Sequence, residues 1–132
     1  MRLGYALAHP AVADLMNRVR QPFNANSVAL VAAQAALSDD DFVQRSRQVN
    51  FDGMALLTAG FKRLELPYVA SVGNFVTVHV GDGAEVFRRL VRRGVIVRPI
   101  AGYGLPQHLR VTIGTPAENE RFLQALEEAL HD

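Results

Sequence analysis

The stretch GVIVRPIAGYGLPQHLRVTIGT, residues 94 to 115, holds two short apolar runs joined by a glycine-rich turn. Side chains alternate between the two faces of a strand. In VIVRPI, Val95 and Val97 share one face, and Ile96, Arg98 and Ile100 the other. In HLRVTIG, Leu109, Val111 and Ile113 oppose Arg110 and Thr112. The reading as two strands therefore mounts an arginine on each, opposite a row of aliphatic residues. Pro99 has no N–H for a ladder, so its strand lies at an edge or ends there.

Working outward, Asp82 and Glu85 have capping-box spacing, which predicts a helix over Ala84 to Arg93, and Gly94 is placed to close it. Thr115, Pro116 and Glu118 supply N-cap, N1 and N3 chemistry for a last helix, with Phe122, Leu123, Leu126 and Leu130 on its apolar face. Upstream, PYVAS and NFVTVHV read as strands, the second with Phe75, Thr77 and His79 on one face and Val76, Val78 and Val80 on the other.

The first half has helical period. RLGYALA reads as an opening strand, and His9-Pro10 begins a helix with Val12, Leu15, Met16 and Val19 as one apolar stripe, ended by Pro22. Asn26 or Ser27 caps a second helix running to Leu37, apolar enough to be buried on most sides. Asp39 to Asp41 cap a third, reaching about Leu64, with Phe42, Val43, Val49, Leu56, Leu57, Phe61 and Leu64 inward, although Gly53 and Gly60 weaken it. The succession predicts an α+β fold, a short, mostly antiparallel sheet packed against helices.

With 132 residues and 49% hydrophobic composition the chain can build one core. A formal net charge of +1 gives no bulk attraction to nucleic acid or anionic lipid. The lack of cysteine excludes a disulfide framework and thiolate metal sites. No signal peptide or membrane-length apolar run is visible, so the expected compartment is the cytosol. His9, His79, His108 and His131 have no metal-ligand spacing, and no metal is expected. Arg88, Arg89, Arg92 and Arg93 could form a nucleic-acid patch, but without interleaved aromatics they read as a solvated helix face. GDGAE reads as a turn into a helix, and the glycines around Tyr103 as a turn.

Arg98 and Arg110 leave two readings open. Their guanidinium groups either reach solvent or a nearby carboxylate, or they bind an anionic ligand bidentately. The resemblance of the chain bears on that choice. GVIVRPIAGYGLPQHLRVTIGTPAENERFLQAL resembles the C-terminal segment of histidinol-phosphate aminotransferases, fold type I enzymes that depend on pyridoxal phosphate. RLGYALAHPAV, QPFNANSVALVAAQAAL and GNFVTV are similar to earlier family segments, in the same order.

The resemblance implies that Arg110 meets the arginine that binds a substrate α-carboxylate, and Arg98 the one that helps hold the substrate phosphate. It implies that Arg2 contacts the phosphate of pyridoxal phosphate. The lysine that forms the Schiff base with the cofactor would lie just before Arg2, and Lys62, the only lysine, is not expected to replace it. No catalytic residue is therefore assigned in this chain.

The implied organisation is the end of the cofactor domain over 1–26, interdomain helices over 27–64, and a small substrate-closing domain over 65–132. The implied partners are the missing N-terminal cofactor domain, a second subunit in a homodimer and small phosphorylated amine or amino acid substrates. The expected activity of the whole is transamination between glutamate and imidazole-acetol phosphate in histidine synthesis, with this portion inactive alone. Aromatic aminotransferases and threonine-phosphate decarboxylase share the scaffold, and a non-catalytic module that binds a small anion is the alternative of another class.

Overall fold

A computed structural model describes residues 3–131 as five helices and a four-stranded, wholly antiparallel sheet, an α+β arrangement. The chain divides into two compact units, Met1–Val43 and Gln44–Asp132. No helix among the described residues is long and apolar enough to cross a membrane.

The first unit contains α1 (Pro10–Val19) and α2 (Ser27–Leu37). Pro10 sits in the first turn of α1, where its missing N–H costs nothing, and Arg20 closes that helix in extended conformation, ahead of Pro22. Asn26 is the cap of α2, its Oδ1 accepting the Ala29 N–H at 2.8 Å. Two expectations fail here. Residues 3–9 form no strand, because a strand needs a partner ladder and none is supplied to them. The apolar surface of α2 is also not covered: Ala29 alone is buried, while Val28, Leu30, Val31 and Leu37 are exposed.

The helix α3 (Asp40–Arg63) starts where Asp39 accepts the Phe42 N–H at 3.0 Å. Leu57 and Phe61 are fully buried, whereas Phe42, Val43 and Val49 are exposed and Leu56 and Leu64 half-buried. Gly53 and Gly60, which weaken the helix in isolation, are what seat it. A Cβ on Gly53 would lie 2.5 Å from Ile113 Cγ2, and one on Gly60 2.5 Å from Leu123 Cδ2. The helix gives up propensity for close approach.

The sheet has the order β1 (Tyr68–Val69), β2 (Phe75–His79), β4 (Leu105–Thr112), β3 (Arg98–Ile100). Val76 pairs with Val111 and Val78 with Leu109, so all four point to one face and pack against α3, α4 (Gly83–Arg92) and α5 (Pro116–His131). Val86, Leu90, Phe122, Ala125, Leu126 and Ala129 complete that core. As the proline implies, β3 is the edge strand, but it is shorter than the apolar run predicts. The Val95 N–H bonds back to Leu90 O at 2.9 Å, closing α4 and keeping residues 95–97 out of the ladder. A register shift between Pro99 and Ile100 also breaks the alternation, so Ile100 is buried while Arg98 is exposed. A short 3-10 turn, Ala101–Tyr103, and Gly104 at φ +78° then reverse the chain into β4.

The last helix begins as the sequence predicts. Glu118 Oε2 accepts the Thr115 N–H at 2.7 Å and the Thr115 hydroxyl at 2.8 Å, bonds that hold its carboxyl below the ordinary carboxylate range. The folded state therefore favours ionised Glu118. Its contribution to stability is present above the ordinary carboxylate pKa and is lost as pH falls through the lowered folded value. Glu118→Gln is expected to flatten the acid limb of stability against pH, read as urea midpoints of both proteins between neutral and acid pH. Parallel limbs would mean that the bond pair carries no linkage.

Candidate functional site

The face of the sheet opposite the core collects the polar and aromatic residues. Register places Thr77 beside Arg110 and Arg110 beside Arg98, one row across β2, β4 and β3. The neighbouring rows are Phe75 with Thr112 and His79 with His108. Directly paired residues share a face, so the two arginines are cross-strand neighbours.

Neither arginine has an acidic partner within salt-bridge distance among the described residues. Like charges directly opposite destabilise a strand pair, so this juxtaposition opposes folding unless an anion lies against it. Arg110 is half-buried, and its Nε is buried with no hydrogen-bond partner. Its guanidinium carbon lies 4.9 Å from the centroid of the Phe75 ring, a cation–π contact worth about 0.5–1 kcal/mol where water reaches it. Arg98, on the edge, is exposed. Together they form a concentrated positive site that can hold a carboxylate or phosphate.

On the far side of Arg110 from Phe75, the rings of His79 and His108 meet edge to face at 5.0 Å, and His79 Nε2 lies 3.2 Å from Gln107 Oε1. No cluster of three or more potential metal ligands occurs among the described residues. The neighbours Phe75 and His108 are not identified by sequence reasoning. Alternation assigns Phe75, Thr77 and His79 to one face, but only register shows which residues of β4 stand beside them.

A cleft of about 510 Å³ opens between residues 94–97 and 111–114 and reaches Glu118, Asn119 and Arg121. Its charged and amide side chains are already engaged. Asn119 exchanges hydrogen bonds of 2.9 Å with the Gly114 N–H and carbonyl, Arg121 donates to Arg93 O, and Glu118 binds Thr115. The arginine pair, with unspent donors, is the better candidate site.

The α4 arginines are not simply a solvated face. Arg88 and Arg89 bond to Glu85, which depresses its carboxyl pKa; Arg89 also reaches Ala129 O at 3.0 Å and Arg93 reaches Glu128 at 3.2 Å. They tie α4 to α5. Lys62 is exposed on α3, and Arg2 lies outside the described residues.

Residues 1–126 match the family described as aminotransferase class I and II. The chain belongs to that family. Among curated relatives of this aminotransferase chain, the histidinol-phosphate aminotransferase of Methylobacillus flagellatus is 58% identical over 130 residues, 98% of the chain and 35% of the relative. Histidinol-phosphate aminotransferase 1 of Nitrosococcus oceani is 59% identical over 133 residues, 100% of the chain and 36% of the relative. The aminotransferase chain thus spans about a third of the length of these relatives. The solved histidinol-phosphate aminotransferase from Sinorhizobium meliloti, in complex with pyridoxal-5'-phosphate, shares the fold with a TM-score of 0.80 at 24% identity, over 92% of this chain and 35% of the solved one.

Proposed function

We propose that the chain is the C-terminal portion of a pyridoxal-phosphate-dependent histidinol-phosphate aminotransferase, comprising the end of the cofactor domain (1–26), interdomain helices (27–64) and the substrate-closing domain (65–132). The observation that carries this reading is the pairing of Arg98 with Arg110 on one sheet face without an acidic partner among the described residues, in a chain this similar to histidinol-phosphate aminotransferases. Arg110 takes the carboxylate of glutamate and Arg98 helps hold the phosphate of the other substrate. A planar carboxylate met bidentately by a strand-mounted guanidinium is fixed in orientation as well as position.

Pyridoxal phosphate needs a lysine to bond its aldehyde. The single lysine here, Lys62, stands exposed on α3, so the described residues do not by themselves fit the cofactor. What they fit is the anionic end of a substrate. In this reading the cofactor site, including the contact assigned to Arg2, is completed by an N-terminal cofactor domain, within a cytoplasmic homodimer.

The test is complementation. The chain is expected to leave the absorbance of pyridoxal phosphate unchanged by glutamate when alone, and to support transamination of histidinol phosphate when joined to the N-terminal two-thirds of the Methylobacillus relative. In that assembly Arg110→Ala is expected to reduce kcat/KM for glutamate by about a hundredfold or more, the usual effect of removing one side of a desolvated charge pair. A glutamate response from the chain alone would overturn the fragment reading. A preference for phenylalanine over histidinol phosphate would overturn the substrate assignment.

A further inference from the structure

Arg110 is held by packing, not by hydrogen bonds. Its Nε is buried without an acceptor, and its side chain makes no ion pair among the described residues. A guanidinium binds an oxyanion well only when its plane is fixed, because two parallel N–H bonds require both donors to face the ligand at once. Something other than a protein carboxylate must fix it here.

The ring of Phe75 is placed to do so. Phe75 pairs with Thr112, two positions along the β2–β4 ladder from the Thr77–Arg110 pair, and so stands diagonal to Arg110 on the same face. Its ring centroid is 4.9 Å from the guanidinium carbon. The backbone that carries it is anchored: the Ile113 N–H donates to Asn74 O at 2.9 Å, Asn50 Nδ2 to Gly73 O at 3.2 Å, and the Gly73 N–H to Ser71 Oγ at 3.1 Å. Phe75 is itself 38% exposed, which a residue serving only the core would not be.

We propose that Phe75 is a positioning residue for Arg110, its ring fixing the guanidinium so that the free N–H groups face an incoming carboxylate or phosphate. The inference rests on the reading of Arg110 as an anion-binding residue. It assigns to an aromatic wall the orienting role that a carboxylate partner would otherwise play, while leaving the positive charge unneutralised for the ligand. A carboxylate in that place would orient the arginine and cancel it.

The experiment uses the full chain labelled with nitrogen-15, the arginine Nε–H signals as reporter and inorganic phosphate as probe. In the unmutated chain the Arg110 Nε–H signal is expected to be displaced by the ring current of Phe75, slow to exchange, and to move saturably with phosphate. Phe75→Leu, which keeps apolar bulk but removes the ring, is expected to return that signal to the ordinary arginine position and weaken phosphate binding about fivefold. Phe75→Tyr is expected to restore both. An unchanged signal and affinity in Phe75→Leu, or no rescue by Phe75→Tyr in a natively folded chain, overturns the proposal. A displaced signal that depends on Phe75 but responds neither to phosphate nor to added glutamate supports the positioning and overturns instead the anion-binding reading of Arg110.

Discussion

Phe61→Ala is expected to lower the unfolding free energy of the Gln44–Asp132 unit by about 3–5 kcal/mol. Phe61 is fully buried and meets two other rings, Tyr68 at 5.9 Å and Phe122 edge-on at 6.2 Å. It therefore joins α3, β1 and α5 through one side chain. Truncation removes its transfer free energy and leaves a cavity between elements that the sheet and two glycine contacts prevent from closing. Domains of this size are stable by only about 5–15 kcal/mol, so the variant loses a large share of the total. Urea unfolding followed by circular dichroism should show a lower midpoint at unchanged slope. A loss under about 1 kcal/mol, the range of a volume-conserving core exchange, would mean that the three elements are not packed around this ring.

Gly83→Ala is expected to cost about 3 kcal/mol, although alanine is the better helix former by about 1 kcal/mol. The reason is position. Gly83 opens α4 against β4, and a Cβ there would lie 2.5 Å from the carbonyl oxygen of Pro106 and 3.2 Å from that of His108. Those are backbone atoms of a paired strand, so relief requires α4 to move away from the sheet, loosening Val86 and Leu90 from the core. Gly102→Ala is the control, since a Cβ there meets nothing within 4 Å. Thermal melts should separate the two variants clearly. Equal melting temperatures would show that α4 rides on β4 less closely than these distances require.

The elements governed by local chemistry are legible in the sequence. The alternation of NFVTVHV assigns Val76 and Val78 to the core, Thr115 with Glu118 marks the start of α5, and Pro99 marks an edge. What depends on contacts distant in the chain is not. No local pattern states that Arg98 stands opposite Arg110, since that follows from strand register and from a shift at Pro99. Gly53 and Gly60 weigh against a helix by propensity, yet their value lies in what approaches them. The apolar run of α2 implies burial, but burial needs a covering surface, and within this chain most of the run remains exposed. Likewise Arg89 and Arg93 look solvated by composition and turn out to reach Ala129 and Glu128, an acceptor and an acid forty and thirty-five positions away.

Lys62 has a practical meaning of its own. Between Phe61, seated in the core, and Arg63, bound to Glu127 at 2.9 Å, it carries the only side-chain amine in the chain and is exposed. Reagents that acylate amines therefore mark the side chains at one place, on α3, and leave every guanidinium unmodified. A dye placed on Lys62 therefore reports on ligands at Arg98 and Arg110 without consuming either guanidinium, whereas a dicarbonyl reagent selective for arginine would reach helices and sheet alike.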